Sequence, residues 1–178
     1  MSGVRVLVGT RKGAFTLTSD GKRQTWQVNG PHFPGWEIYH VKGSPVDPNR
    51  LYASQSSGWF GQKIQRSDDG GKTWEDPVRT YGSANHGPIV LKDGRLLMVG
   101  RRWNGDGTSA VWKGVEHELP VEESRDNGRS WQVIAKIEPT PPDEIGQFHE
   151  PHLVETDDGR LVAQFRFHAK PAPGKRGR

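Results

Sequence analysis

Two aspartates, Asp69 and Asp126, are the first residues that invite a chemical reading, because two carboxylates in like settings can divide acid and base work between them. Their surroundings argue otherwise. Ser67-Asp68-Asp69-Gly70-Gly71-Lys72-Thr73-Trp74 and Ser124-Arg125-Asp126-Asn127-Gly128-Arg129-Ser130-Trp131 both read S-x-D-x-G-x-x-W, 57 residues apart. Asp and Ser oxygens can accept hydrogen bonds from turn amides, and Gly supplies a positive φ. The Trp can then fold back over the turn. Ser67, Asp69, Gly71, Trp74, Ser124, Asp126, Gly128 and Trp131 are therefore expected to be structural. His149, Glu150 and His152 offer imidazole and carboxylate to a metal. The intervening Pro151 and the lack of a further defined ligand count against that, so neither a metal nor a cofactor is expected. Arg101 and Arg102 beside Trp103 could hold an acidic glycan by charge and ring stacking.

The elements that must carry these residues are strands. Asp93-Gly94-Arg95-Leu96 recurs as Asp158-Gly159-Arg160-Leu161, each copy set between two apolar runs, and Asp-Gly in that setting is a strong hairpin signal. Arg101 and Arg166 fall at the same place beyond the two hairpins. Further strands are expected at 5–8, 14–18, 37–41, 51–54, 63–67, 110–113 and 131–137, and no apolar period of helical type runs for ten residues. A weaker copy of the turn, Thr18-Ser19-Asp20-Gly21 with Trp26, lies upstream. The repeat of about 50 residues suits one four-stranded propeller blade. The reading is all-β: four-stranded antiparallel blades over residues 1–170, three and part of a fourth, with a flexible basic tail at 171–178.

Composition agrees. Only 31% of the 178 residues are hydrophobic, while 23 glycines and 13 prolines point to many turns. With no cysteine, disulfides and thiolate chemistry are excluded. The net charge of +4 is scattered among both signs, so nucleic acid is not an expected partner. No apolar stretch suits a signal peptide or a membrane span, and a cytoplasmic location is expected.

The S-x-D-x-G-x-x-W pattern resembles the Asp-box, or BNR, repeat of sialidases and related propellers. In that family the box is a turn between the outer strands of a blade, remote from the active site. Residues 1 to about 76 resemble one branch, the BNR and WD-repeat-like proteins loosely described as glycosyl hydrolases, through Val8-Gly9-Thr10-Arg11-Lys12-Gly13, Gly30-Pro31-His32-Phe33, Gly35-Trp36-Glu37 and Asp47-Pro48 to Leu51-Tyr52-Ala53. From His86 onward the chain is similar to the catalytic propeller of sialidases, so a seam is expected at 76–86, either a fusion or a divergent blade.

The segment His149-Glu150-Pro151-His152-Leu153-Val154-Glu155, with Asp158-Gly159-Arg160-Leu161 and Arg166, resembles the sialidase stretch in which a glutamate precedes a hairpin and an arginine ends the returning strand. The resemblance implies that Glu150 polarises a tyrosine nucleophile and that Arg166 helps clamp the sugar carboxylate; Arg101, from its charge and its matching place beyond the hairpin, is a further substrate-binding candidate. Guanidinium suits a carboxylate through paired hydrogen bonds. Family parts are missing: there is no early R-I-P arginine, Tyr39, Tyr52 and Tyr81 all precede Glu150 in unlike contexts, and no general acid can be assigned. The expected function is a sialidase-like propeller acting on or binding acidic sugars; the alternative is a non-catalytic scaffold for a glycan or protein. A complete propeller of that family has six blades, so an incomplete propeller is expected: a fragment, a remnant, or a half-propeller that closes the ring by self-association.

Overall fold

The computed structural model describes residues 3–57, 61–83, 85–104 and 116–169. The predicted strand 110–113 and the tail 171–178 fall outside these residues, as does the side chain of Trp103.

The described chain is all-β. Strands β1 (Val4–Thr10), β2 (Gly13–Ser19) and β3 (Gln27–His32) form an antiparallel sheet in chain order. The next sheet, also in chain order, has four strands: β4 (Ile38–Gly43), β5 (Leu51–Ser57), β6 (Gly61–Ser67) and β7 (Val78–Arg79). A second four-stranded sheet follows. It starts with β8 (Ile89–Val90) and β9 (Leu96–Val99), inserts a separate ribbon of β10 (Arg102–Asn104) with β11 (Glu116–Glu118), and is completed by β12 (Pro120–Ser124) and β13 (Gln132–Lys136). A short 3-10 turn, Ile145–Gln147, leads into the last hairpin, β14 (Phe148–Glu155) and β15 (Leu161–Phe167). The two complete antiparallel meanders match the expected propeller-like blade; among the described residues no sheet closes on itself.

The sheets stack face to face, and the apolar period shows how. All four residues of β9 are buried, which alternation would forbid if one face met water. Leu96 and Met98 pack with Tyr52 and Ile64 of the preceding sheet. Leu97 and Val99 turn the other way, joining Ile89, Leu91 and Leu153 against the last hairpin. A third cluster, Ala14, Ile38, Val41 and Ala53, fills the space between the first two sheets. Burial is thus spread over three thin interfaces rather than one core, which is how so lean a chain orders itself.

Both S-x-D-x-G-x-x-W segments join the third strand of a four-stranded sheet to the fourth. In the first, the Ser67 hydroxyl donates to Asp69 at 2.8 Å and accepts from the Gly71 amide at 2.9 Å. Asp69 also accepts from the Lys72 and Thr73 amides at 2.9 Å and from the Thr73 hydroxyl at 2.5 Å. The second turn repeats this: Ser124 donates to Asp126 at 2.8 Å and accepts from Gly128 at 2.8 Å, while Ser130 donates to Asp126 through amide and hydroxyl. Such bonding leaves Asp69 with a pKa well below the usual carboxylate range, chiefly through the Thr73 hydroxyl and amide. Asp126 falls to about 2: desolvation opposes the shift, and the Ser130 and Ser124 bonds outweigh it. Both carboxylates are consumed by their own turns.

The turns also join the sheets. Gly71 (φ 91°) and Gly128 (φ 90°) leave little room for a side chain: a Cβ would lie 3.0 Å from Thr16 Cγ2 in the first case and 3.0 Å from Tyr52 Cε1 in the second, each on the preceding sheet. Arg50 donates to Asp68 and to Asn127, both at 2.9 Å, and so spans two turns.

Candidate functional site

Strand β14 runs in register with β15 until a bulge between His149 and His152, where Glu150 and the buried Pro151 together face Phe165. Glu150 takes φ 47°, a left-handed conformation that an L-residue with a long side chain rarely adopts. The bulge re-aims the strand: the Glu150 carboxylate meets the Arg166 guanidinium at 3.1 Å, and both side chains stay about half exposed. Glu150 and Arg166, 16 residues apart in sequence, are therefore neighbours.

They border a cavity of about 490 Å³ lined also by His40, His86, His152, Gln164 and Phe165. That volume suits a small ligand. Three sheets supply the wall. His40 lies on β4, His86 just ahead of β8 and His152 on β14, so each imidazole comes from the first strand of a successive sheet or its approach. The His86 ring lies 6.3 Å from His40 and 5.3 Å from His152, both edge to face. Burial lowers the pKa of His40, helped by Lys42, His86 and His152. Burial also lowers His152, with Lys42 and His86 adding to it, and lowers Lys42 itself. Among the described residues that line this cavity, Glu150, paired to Arg166, is the one carboxylate, and Lys42 adds a nearby positive charge.

Arg101 does not line the cavity. It is buried, and its guanidinium bonds the His149 ring and donates to the Gly146 carbonyl at 3.3 Å. Burial and the nearby Arg166 charge lower its pKa. His149, which also stacks on His168 at 4.4 Å, is held down to about 4, first by burial and then by Arg101, His168 and Arg166. Arg101 and His149 thus lie close enough to Arg166 to feel its charge.

The tyrosines lie elsewhere. Tyr52 is a core residue. Tyr39 is exposed beside Glu37. Tyr81 lies beneath the Arg102 guanidinium and donates to Glu118 at 2.5 Å; that bond, with burial, raises its pKa against the opposing Arg102 charge. A second cavity, of about 620 Å³, opens beside that glutamate. The stretch between β7 and β8 is tied into the second four-stranded sheet by buried Glu122, which accepts from the Tyr81 and Gly82 amides at 2.8 Å.

Sequence reading reached Glu150, Arg166 and Arg101 but not His40, Lys42 or the cavity role of His86. Aligning the repeats would have shown a histidine in or just ahead of the first strand in three of them, a signal weaker than the turn motif because it is a single residue at inexact spacing.

No protein-family model matches the chain, and no curated protein does. Solved structures share its fold. A protein of unknown function from Dyadobacter fermentans aligns with a TM-score of 0.61 at 17% identity, covering 88% of this chain and 51% of that one. The NanB sialidase of Streptococcus pneumoniae, in complex with 2-[(3-chlorobenzyl)ammonio]ethanesulfonate, aligns with a TM-score of 0.56 at 14% identity, covering 93% of this chain and 26% of that one. At these identities the likeness is one of fold, a sialidase-like β architecture. The chain spans about half the length of the first and a quarter of the second.

Proposed function

We propose that the cavity beside Arg166 receives the carboxylate of an acidic sugar, in a sialidase-like, Asp-box-type propeller. The observation that carries the reading is the Glu150 bulge: a left-handed residue on a strand is costly, on the order of 1–3 kcal/mol, and here it sets a carboxylate against a half-exposed arginine at a cavity mouth. Arg166 is the clamp, exchanging Glu150 for the ligand carboxylate, and Arg101 lies close enough to add its charge. Glu150, freed from Arg166, then serves as the base of any hydrolytic step.

The parts in hand favour recognition over turnover, since among the described residues Tyr81 is paired to Glu118 and not to Glu150. Assay of an aryl sialoside decides between the two. Turnover lost in Glu150→Gln with the fold intact makes the protein a glycoside hydrolase. Binding without turnover makes it a glycan-binding scaffold.

Closure of the propeller by a second copy belongs to the same reading. The outer sheets expose Val28 (63%) at one flank and Val162 (50%) at the other, apolar surface that another sheet would cover. One copy spans about half of the Dyadobacter protein, so two supply a comparable number of strands.

A further inference from the structure

We infer that His40, His86 and His152, with Lys42, form a second anion subsite in the Arg166 cavity, which takes a sulfate or phosphate ester carried by the acidic sugar. This rests on the proposed function for the identity of the ligand, not for the existence of the subsite.

The argument starts from placement. Three imidazoles from three different sheets converge on one cavity, and none is used by the turns or the cores. A Cβ on Gly87 would come within 3.2 Å of the His40 ring, so the approach to β8 lies close against that ring. Among the described residues the charged groups near the imidazoles are Lys42 from β4, Glu150 from β14 and Arg166 from β15. A cationic surround disfavours a metal ion and favours an oxyanion. Among the described residues no three His, Asp or Glu side chains are arranged to hold a metal. Burial and mutual repulsion keep His40 and His152 neutral near pH 7. A bound oxyanion reverses the balance, because each imidazolium then gains a charge-assisted hydrogen bond. Binding is thereby linked to proton uptake and strengthens as pH falls. Arg166 holds the carboxylate, whereas His40 and His152 add their grip in acid.

The test is calorimetric titration of the full chain with inorganic sulfate, whose own charge is constant across the range, at pH 7.5 and 5.5 and fixed ionic strength. Inorganic phosphate forms a parallel arm, and the tighter of the two names the ester. The expected result is an affinity about tenfold or more higher at the lower pH, as uptake of at least half a proton requires. That gain should shrink in His152→Gln and in His40→Gln. Equal affinity at both pH values, or an undiminished gain in both variants, overturns the subsite. So does displacement of sulfate by stoichiometric Zn²⁺, which would make the cluster a metal site. If sulfate behaves as expected but N-acetylneuraminic acid does not bind at pH 7.5, the carboxylate reading fails and the subsite stands; the reverse pattern fails the subsite alone.

Discussion

His149 sits with its ring against Arg101 and His168, and burial with those neighbours holds its pKa down to about 4. The folded protein therefore keeps it neutral while the unfolded chain, near 6.5, binds a proton. Between those values the unfolded state holds more protons, so stability falls as pH drops from about 6.5 to about 4. Urea midpoints at pH 7.5, 5.5 and 4.5 should decline in that window, and His149→Gln should decline less steeply; an unchanged slope would contradict the assignment. The other lowered histidines leave part of the slope in place. At this scale the sequence was readable where a motif is local. The side chains of Ser67, Asp69, Ser124 and Asp126 bond within their own turns, so spacing alone reveals them. His40 and His152 lie 112 residues apart and meet only through sheet stacking, which no one-dimensional spacing encodes.

The turn glycines belong to the scale of elements, because each docks one sheet on the preceding one. Gly128→Ala forces both a left-handed alanine and a contact with the Tyr52 ring, and is expected to cost about 1–3 kcal/mol in urea unfolding. Gly94, with φ 87° and open space around it, is the control: Gly94→Ala bears the backbone cost of about 1 kcal/mol alone. Equal losses would mean that the turn does not hold the sheets together. Strands escaped the sequence for identifiable reasons. β12, Pro120–Ser124, carries two glutamates that read as solvent-facing, yet both are buried. Glu122 is satisfied by the Tyr81 and Gly82 amides, and Glu123 by Arg95 at 3.3 Å and Arg125 at 2.5 Å. β3 contains Gly30-Pro31, a loop signature, and buries none of its six residues. Strand β9, apolar on both faces, was plain from its Leu96–Val99 run.

The whole molecule is a stack of sheets with apolar flanks. Exposed Val6 and Val28 on the first sheet, and Val154, Val162 and Phe167 on the last hairpin, place the covering surface at both ends of the stack. Light scattering coupled to size exclusion should give twice the 19.9 kDa chain mass, and substitution of Val162 by Lys should return it to one; a wild-type monomer would contradict closure by a second copy. No helix among the described residues is long and apolar enough to cross a membrane. The central claim, though, is recognition of a carboxylated sugar at Arg166, and titration with N-acetylneuraminic acid at pH 7.5 tests it most directly. Saturable binding that weakens by about ten- to a hundredfold in Arg166→Ala, and is poorly restored by Arg166→Lys, is the predicted result, since a charge-assisted hydrogen-bond pair to a carboxylate is lost. No binding, or binding indifferent to Arg166, would contradict it.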